Sequence, residues 1–176
     1  QHALALDRVL FVPTGNPPHK ADQKVSSNAD RLAMLELAIA GNPGFAISTL
    51  DLDRTGPSYT ADLLALLQSE LPEARLVFLM GEDSLRDLPT WYRPDAIVTL
   101  AELGVATRPD IETDLEQIYQ QLPGARGRIT IVDTTLIGIS SSTLRRRVRE
   151  GAPIRYQVPD AVAEYIMTSG IYRCPA

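Results

Sequence analysis

Short apolar runs rich in β-branched and aromatic residues recur along this chain between longer stretches of helical period, and this alternation constrains the fold most. Parallel strands joined by crossover helices produce such a pattern. The runs are almost continuously apolar, as in Leu76–Met80, which is typical of central strands covered by helices on both faces. We therefore predict an α/β fold with a doubly wound parallel sheet. Its five predicted strands are Arg8–Val12, Phe45–Leu50, Arg75–Met80, Leu103–Thr107 and Arg128–Val132.

Amphipathic stretches between and after these runs predict the helices. Their apolar residues recur at helical spacing, so one face of each helix can pack on the sheet. The predicted helices are Ala29–Ala40, Thr60–Leu71, Ile111–Leu122 and Asp160–Ser169. Residues 1–7 have the character of a helix end that runs into the first strand.

Size and composition narrow the class of protein. A chain of 176 residues can bury one core without disulfides, so we expect a single domain over residues 1–176. Its net charge of −5 argues against a nucleic-acid or anionic-membrane partner, and no apolar run is long enough for a membrane span. The lone cysteine, Cys174, cannot form an internal disulfide, which favours a reducing compartment, and we expect the cytoplasm.

Ligands of open α/β sheets bind beyond the carboxyl ends of the strands, so the segments that follow strands are the candidate sites. After the first strand, residues 13–20 end in His19 and Lys20, whose side chains can donate to phosphate oxygens. A solvated surface loop explains the same residues, and taken alone it is the preferred interpretation.

The segment after the second strand places Ser58, Tyr59 and Thr60 at the start of a predicted helix. Free backbone amides at such a position attract carboxylate or phosphate groups. Ser58 or Thr60 could equally serve as an ordinary N-cap, and the two interpretations are compatible.

The segment after the third strand contains Gly81 and Asp83 and then the single tryptophan, Trp91. Glycine allows a ligand to approach the backbone, Asp83 can accept from a sugar hydroxyl or cap a turn, and an indole can stack on a heteroaromatic ring. A lone tryptophan is more often a packing residue.

After the last strand, Ser140–Thr143 begin a helix with Arg145 one turn further on. Orphan amides, hydroxyls, the helix dipole and a guanidinium converge there, which predicts an anion site. The other basic residues of this helix, Arg146, Arg147 and Arg149, are better explained as a solvated face near its end.

Taken in order, these segments resemble the nucleotidylyltransferase superfamily, and specifically its bacterial nicotinate-mononucleotide adenylyltransferases. The similarity runs from about Leu6 to Arg173, and six segments together are specific although each alone is weak. They are Pro17–Lys20, Ser58–Thr60, Gly81–Asp83, Leu88–Tyr92, Thr107–Pro109 and Ile139–Arg145. The resemblance implies a Rossmann-like sheet of the nucleotidylyltransferase type followed by C-terminal helices.

The resemblance also implies the roles of individual residues. Those expected at the ATP phosphates are Ser141, Ser142, Arg145, His19 and Lys20, with Ser142 in place of the family's usual threonine. Those expected at the pyridine mononucleotide are Ser58, Tyr59, Thr60, Gly81, Asp83, Trp91, Tyr92 and Arg108. Tyr59 and Thr60 would meet the nicotinate carboxylate, and Trp91 or Tyr92 would lie against the ring.

The implied reaction transfers the AMP part of ATP to nicotinate mononucleotide and releases pyrophosphate, as a step of NAD biosynthesis. It needs no protein nucleophile, and Mg²⁺ would accompany ATP and neutralise part of the charge on the phosphates. The sequence shows no dedicated metal cage. Family members begin with a strand and a glycine-rich loop ending in an HxGH motif, which is absent from this sequence, so the catalytic residues stay unassigned and we expect an N-terminally incomplete domain. A noncatalytic mononucleotide-binding module, an adenylyltransferase for another phosphorylated acceptor such as pantetheine phosphate, and association of identical chains stay open.

Overall fold

The fold comes from a computed structural model that describes residues 1–16, 26–107, 113–135 and 137–173. Five strands and seven α-helices lie in these ranges. The strands are β1 (Val9–Phe11), β2 (Phe45–Ile47), β3 (Val77–Gly81), β4 (Glu102–Ala106) and β5 (Ile129–Val132). The helices are α1 (Asn28–Ile39), α2 (Thr60–Glu70), α3 (Glu82–Asp87), α4 (Pro94–Leu100), α5 (Leu115–Gln121), α6 (Ser141–Arg149) and α7 (Asp160–Ser169).

All strand pairs in the described ranges are parallel, which confirms the predicted α/β class. Strand β1 pairs with β2 in one sheet, and β3, β4 and β5 form a second sheet in that order. The strand pattern alone predicts one continuous sheet, whereas the described strands form two. Apolar runs show which segments are extended, but the hydrogen-bonded neighbour of each strand depends on the path of the whole chain.

Three helices agree closely with the sequence pattern, and one begins later than predicted. Helices α1, α2 and α7 match within one residue at each end. The helix predicted over Ile111–Leu122 begins only at Leu115, because the Asp114 carboxylate accepts from the amides of Glu116 and Gln117 and caps it there. Residues 111 and 112 lie outside the described residues.

Helices α2, α4 and α5 cover one face of the β3–β5 sheet. The strands contribute Phe78, Met80 and Leu103 to this core, and the side chains of Leu85 and Ile97 are fully buried beside them. Each fully buried aliphatic side chain of this kind contributes about 1.5–3 kcal/mol. This core therefore brings the carboxyl end of β3 and the start of α2 together, through Met80 and Ala61.

A second core joins α1, α6 and α7, the last of which confirms the expected C-terminal helices. A hydrogen bond joins α7 to α1, because the Tyr165 hydroxyl donates to Asp30 Oδ1 at 2.9 Å. Within the start of α1, the Ser27 hydroxyl donates to Asp30 Oδ2 at 2.6 Å. The hydrogen bond from Ser27 and then that from Tyr165 lower the pKa of Asp30. None of the helices in the described ranges combines the length and the apolar character that crossing a membrane requires.

Candidate active site

The loops that follow β1 and β2 are joined at the carboxyl ends of those strands. The Gly15 amide donates to Asp51 Oδ2 at 2.9 Å. The Asn16 amide donates to the Ser58 hydroxyl at 2.9 Å, and the Ser58 amide donates back to the Asn16 carbonyl at 3.0 Å. A Cβ atom at position 15 would lie 2.3 Å from the carbonyl oxygen of Asp51, so this close approach requires glycine.

The start of α2 leaves several backbone amides outside the hydrogen bonds of the helix. Tyr59 occupies the N-cap position and its side chain makes no capping bond. The interpretation of Ser58 or Thr60 as the N-cap is therefore wrong, because the Ser58 hydroxyl is used by Asn16. The first helical bond runs from the Leu63 amide to the Tyr59 carbonyl, so the amides of the intervening residues have no partner within the helix.

Two aromatic residues come together beside this helix start. The rings of Tyr59 and Tyr92 stack with centroids 4.2 Å apart and an interplanar angle of 27°. Trp91 instead packs edge-on against Phe78 at 6.2 Å as part of the core, whereas Tyr92 is 48% exposed. The packing interpretation of the lone tryptophan is confirmed, and Tyr92 is the more accessible of the two rings.

Three ion pairs connect the segments next to the two stacked tyrosines. Arg54 Nη1 lies 3.3 Å from Asp51 Oδ1, and Arg54 Nη2 lies 3.4 Å from Asp62 Oδ2. The other oxygen of Asp62 lies 3.7 Å from Arg93 Nη1. Arg93 has a left-handed backbone with φ of 52° at the start of α4 and directly follows Tyr92. The ion pairs therefore connect the loop after β2, the first turn of α2 and the segment before α4.

Helix α3 begins directly after β3, at the segment singled out for Gly81 and Asp83. Gly81 is the last residue of β3 and the N-cap of α3, and Asp83 lies in the first helical turn. The neighbouring Glu82 is buried, and its carboxylate accepts from the Thr113 amide at 3.1 Å. This contact ties the carboxyl end of β3 to the segment that follows β4.

Helix α6 begins after β5 with the predicted hydroxyl-rich turn. Ser140 is the N-cap, and its hydroxyl oxygen accepts from the Thr143 amide at 3.2 Å. The amides of Ser141 and Ser142 precede the first helical bond, and both residues are exposed, while Arg145 is half-buried. The start of α6 therefore carries two exposed serine residues, with Arg145 one turn further along the helix.

One residue of the α6 basic cluster has a structural contact. Arg147 donates to the Pro153 carbonyl through Nε at 3.0 Å and through Nη2 at 2.8 Å. It therefore holds the turn after α6, while Arg146 and Arg149 are exposed, as a solvated face predicts.

Three predicted site residues are not among those that the structure describes. His19, Lys20 and Arg108 lie outside the described residues. Within the described ranges, no group of three or more His, Cys, Asp or Glu side chains is arranged to hold a metal ion.

A cleft of about 340 Å³ lies away from all these segments. It opens between the short turn at His2–Leu4 and the amino-terminal ends of β3 and β4, where Arg75 and Glu102 form an ion pair. Ligands of such sheets bind at the opposite ends of the strands, so we assign the candidate site by its donors and not by this cleft.

The sequence interpretation missed the ion-paired residues Asp51, Arg54, Asp62 and Arg93. In the sequence they look like ordinary surface charges, and no local spacing shows that they pair. The buried Asp51 beside a glycine from another loop is detectable only in the fold.

Known proteins resemble this chain over nearly its whole length. Residues 1–147 match the family model described as cytidylyltransferase-like. A protein of Thermomicrobium roseum named a probable nicotinate-nucleotide adenylyltransferase is 57% identical over 170 residues, which are 97% of this chain and 79% of that protein. A protein of a Roseiflexus species with the same name is 43% identical over 171 residues, or 97% of this chain and 85% of that protein.

Solved structures show the same fold at low sequence identity. A Plasmodium falciparum nicotinic acid mononucleotide adenylyltransferase complexed with NaAD superposes with a TM-score of 0.71 at 19% identity, covering 97% of this chain and 89% of that one. The same Plasmodium enzyme complexed with APC also gives a TM-score of 0.71, at 18% identity over 94% of this chain and 82% of that one.

Proposed function

The chain belongs to the cytidylyltransferase-like family, and we propose that it is a nicotinate-nucleotide adenylyltransferase that transfers AMP from ATP to nicotinate mononucleotide. The products are nicotinate adenine dinucleotide and pyrophosphate, and the reaction is a step of NAD biosynthesis. The observation that carries the proposal is the 57% identity with the Thermomicrobium roseum protein across 97% of this chain. The described residues of the candidate site give no observation that favours a noncatalytic binding module over the enzyme.

We assign the ATP phosphates to the start of α6. The exposed amides and hydroxyls of Ser141 and Ser142 are donors of the right type, and the Arg145 guanidinium adds positive charge one turn later. His19 and Lys20 belong to the same proposed phosphate site on the basis of the family resemblance.

We assign the pyridine mononucleotide to the start of α2 and the segments beside it. The α2 amides and the hydroxyl of Thr60 suit the nicotinate carboxylate, and the exposed ring of Tyr92 suits the pyridine face. The stack of Tyr59 on Tyr92 leaves no room for a third ring between them at 4.2 Å, so the pyridine would contact an outer face or displace Tyr92. The family resemblance adds Ser58, Gly81, Asp83, Trp91 and Arg108.

The chemistry is a direct displacement at the α-phosphorus of ATP. An oxygen of the mononucleotide phosphate forms a bond to the α-phosphorus. The bond between the α-phosphorus and the oxygen that bridges it to the β-phosphate breaks, and pyrophosphate leaves with the electron pair. The protein aligns the two phosphates and neutralises their charge, which is how most phosphoryl-transfer enzymes work.

Mg²⁺ enters this scheme as part of the ATP substrate. It usually binds through substrate phosphates and few protein carboxylates, and it would neutralise charge on the leaving pyrophosphate. We further propose a cytoplasmic location, from the single cysteine and the reaction's soluble nucleotides, and a single domain over residues 1–176.

The test is an acceptor competition with the full-length protein, ATP and Mg²⁺. Pyrophosphate release is measured with nicotinate mononucleotide, nicotinamide mononucleotide and pantetheine phosphate. We expect release with nicotinate mononucleotide to exceed release with pantetheine phosphate by at least a hundredfold. Preference for pantetheine phosphate, or no release from folded protein, would refute the assignment.

A variant pair tests the proposed pyridine site. Tyr92→Ala should raise KM for the mononucleotide about tenfold, because an aromatic stacking contact worth 0.5–1.5 kcal/mol and its buried area are lost. Tyr156→Ala removes a ring that is 83% exposed elsewhere and should leave KM unchanged. Equal effects of the two variants would contradict the placement of the ring.

A further inference from the structure

We propose that Arg54 is a positioning residue that sets the geometry of the pyridine-mononucleotide site by joining the loops after β1 and β2 to the first turn of α2. This inference rests on the proposed function. Arg54 precedes α2 in the chain, and its guanidinium lies between the carboxylates of Asp51 and Asp62.

The first arm of the guanidinium fixes a buried carboxylate. Asp51 is only 3% exposed, and one of its oxygens lies 3.3 Å from Arg54 Nη1. Its other oxygen accepts from the Gly15 amide at 2.9 Å. A buried carboxylate needs such partners, because an unpaired charge in a protein interior costs several kcal/mol. Asp51 thereby holds the loop after β1 against the loop after β2, and Arg54 completes its coordination.

The second arm reaches the helix that carries the proposed carboxylate site. Asp62 lies in the first turn of α2, two residues after Thr60, and its Oδ2 lies 3.4 Å from Arg54 Nη2. The other oxygen of Asp62 lies 3.7 Å from Arg93, the residue after Tyr92. Movement of Asp62 would therefore disturb both members of the Tyr59–Tyr92 stack.

Arginine is the residue type that this arrangement requires. Its planar fork presents two terminal nitrogens in fixed directions, and here each nitrogen serves a different carboxylate. Lysine has a single ammonium and would favour one carboxylate over the other. Since both nitrogens are engaged within the protein and the side chain is only 22% exposed, we assign Arg54 to positioning and not to substrate contact.

An exposed ion pair usually contributes little to stability. The pair between Arg54 and Asp51 differs, because these side chains are only 22% and 3% exposed. The pair between Arg75 and Glu102 is 62% and 36% exposed and lies at the opposite ends of the strands. It offers a matched control, because the same Arg→Met change there removes an ion pair of similar length without touching the proposed site.

The experiment compares Arg54→Met, Arg54→Lys and Arg75→Met in the full-length protein. KM for each substrate and kcat are measured well below the melting temperature, and Tm is measured separately by thermal unfolding. We expect Arg54→Met to raise KM for nicotinate mononucleotide about tenfold, which corresponds to about 1.4 kcal/mol. KM for ATP should stay within about threefold, because α6 supplies its proposed phosphate donors. Arg54→Lys should recover part of the loss, and Arg75→Met should match the wild type.

A double-mutant cycle between Arg54→Met and Asp62→Asn checks the contact itself. The combined loss should be clearly smaller than the product of the single losses, because both changes break the same interaction. If Arg54→Met does not fold, the cycle is run with Arg54→Gln, which also removes the charge.

Three results would overturn the inference. They are an unchanged KM for the mononucleotide in Arg54→Met, an equal rise of KM for both substrates with no rescue by lysine, and independent effects in the double-mutant cycle. A wild-type protein without adenylyl transfer would refute the proposed function instead, so the two failures can be distinguished.

Discussion

The replacement Gly15→Ala tests how tightly the candidate site is packed. The new Cβ would lie 2.3 Å from the Asp51 carbonyl oxygen, and real Cβ atoms almost never approach a neighbour within 3.0 Å. The loop must therefore move by at least 0.7 Å, the difference between these two distances. The neighbouring contacts are backbone atoms, so they cannot rotate away as a side-chain end would.

That movement breaks a specific hydrogen bond. The Gly15 amide lies 2.9 Å from the buried Asp51 carboxylate, and a further 0.7 Å takes this distance beyond hydrogen-bonding range. Loss of a hydrogen bond to a charged group costs about 1.5–3 kcal/mol. In a chain of 176 residues each kcal/mol shifts Tm by about 2–4 °C, so such a loss lowers Tm by roughly 3–12 °C.

Thermal unfolding of Gly15→Ala and Gly138→Ala, followed by circular dichroism, measures the effect. Position 138 has no atom within 4 Å of a new Cβ and serves as the matched control. We expect the melting temperature to fall for Gly15→Ala alone. A fall of less than about 1 °C for Gly15→Ala would refute the argument from packing.

Three further predictions concern the phosphate site, the core and the contact between α1 and α7. Arg145→Met should raise KM for ATP about tenfold in steady-state assays and leave KM for the mononucleotide nearly unchanged, since the guanidinium is assigned to phosphate; the reverse pattern would contradict this. Leu85→Ala should lower the free energy of unfolding in urea by about 2–5 kcal/mol, because this side chain is fully buried; a loss below about 1 kcal/mol would contradict its burial. The lowered pKa of Asp30 means that its stabilising contribution is complete above the usual value of 3.8 and disappears as the pH falls toward the lowered pKa. The wild type should therefore have a higher Tm than Asp30→Asn near neutral pH, and this difference should shrink below about pH 4. A difference that grows on acidification would contradict the prediction.

Elements with strong local signals could be predicted from the sequence. Helix α7 matches at both ends, because Pro159 precedes it and Gly170 follows it with a left-handed φ of 70°. The apolar runs likewise mark the strands. Their apolar character predicts cover by helices on both faces, and this is wrong for the described residues, because Leu79 of β3 and Ile131 of β5 are 44% and 43% exposed. The helical periodicity predicts too early a start for α5, because the capping bonds of the Asp114 side chain begin the helix at Leu115.

Contacts between distant segments could not be predicted. Tyr59 and Tyr92 belong to different loops, and their stacking depends on how α2 and α4 pack. The ion pairs of Arg54 are likewise not visible in the sequence, because charged side chains in a turn usually face solvent. The sequence predicts which segments form the candidate site, because their residues have the right chemistry. Which residues of these segments contact one another depends on tertiary packing.

Isotope tracing tests the central claim most directly. The full-length protein is incubated with unlabelled ATP, Mg²⁺ and nicotinate mononucleotide whose non-bridging phosphate oxygens carry ¹⁸O. The masses of the products are then measured by mass spectrometry. Direct attack of the mononucleotide phosphate on the α-phosphorus predicts a dinucleotide that retains all labelled oxygens and a pyrophosphate that contains none. Label in the pyrophosphate, or no dinucleotide from folded protein, would contradict the account.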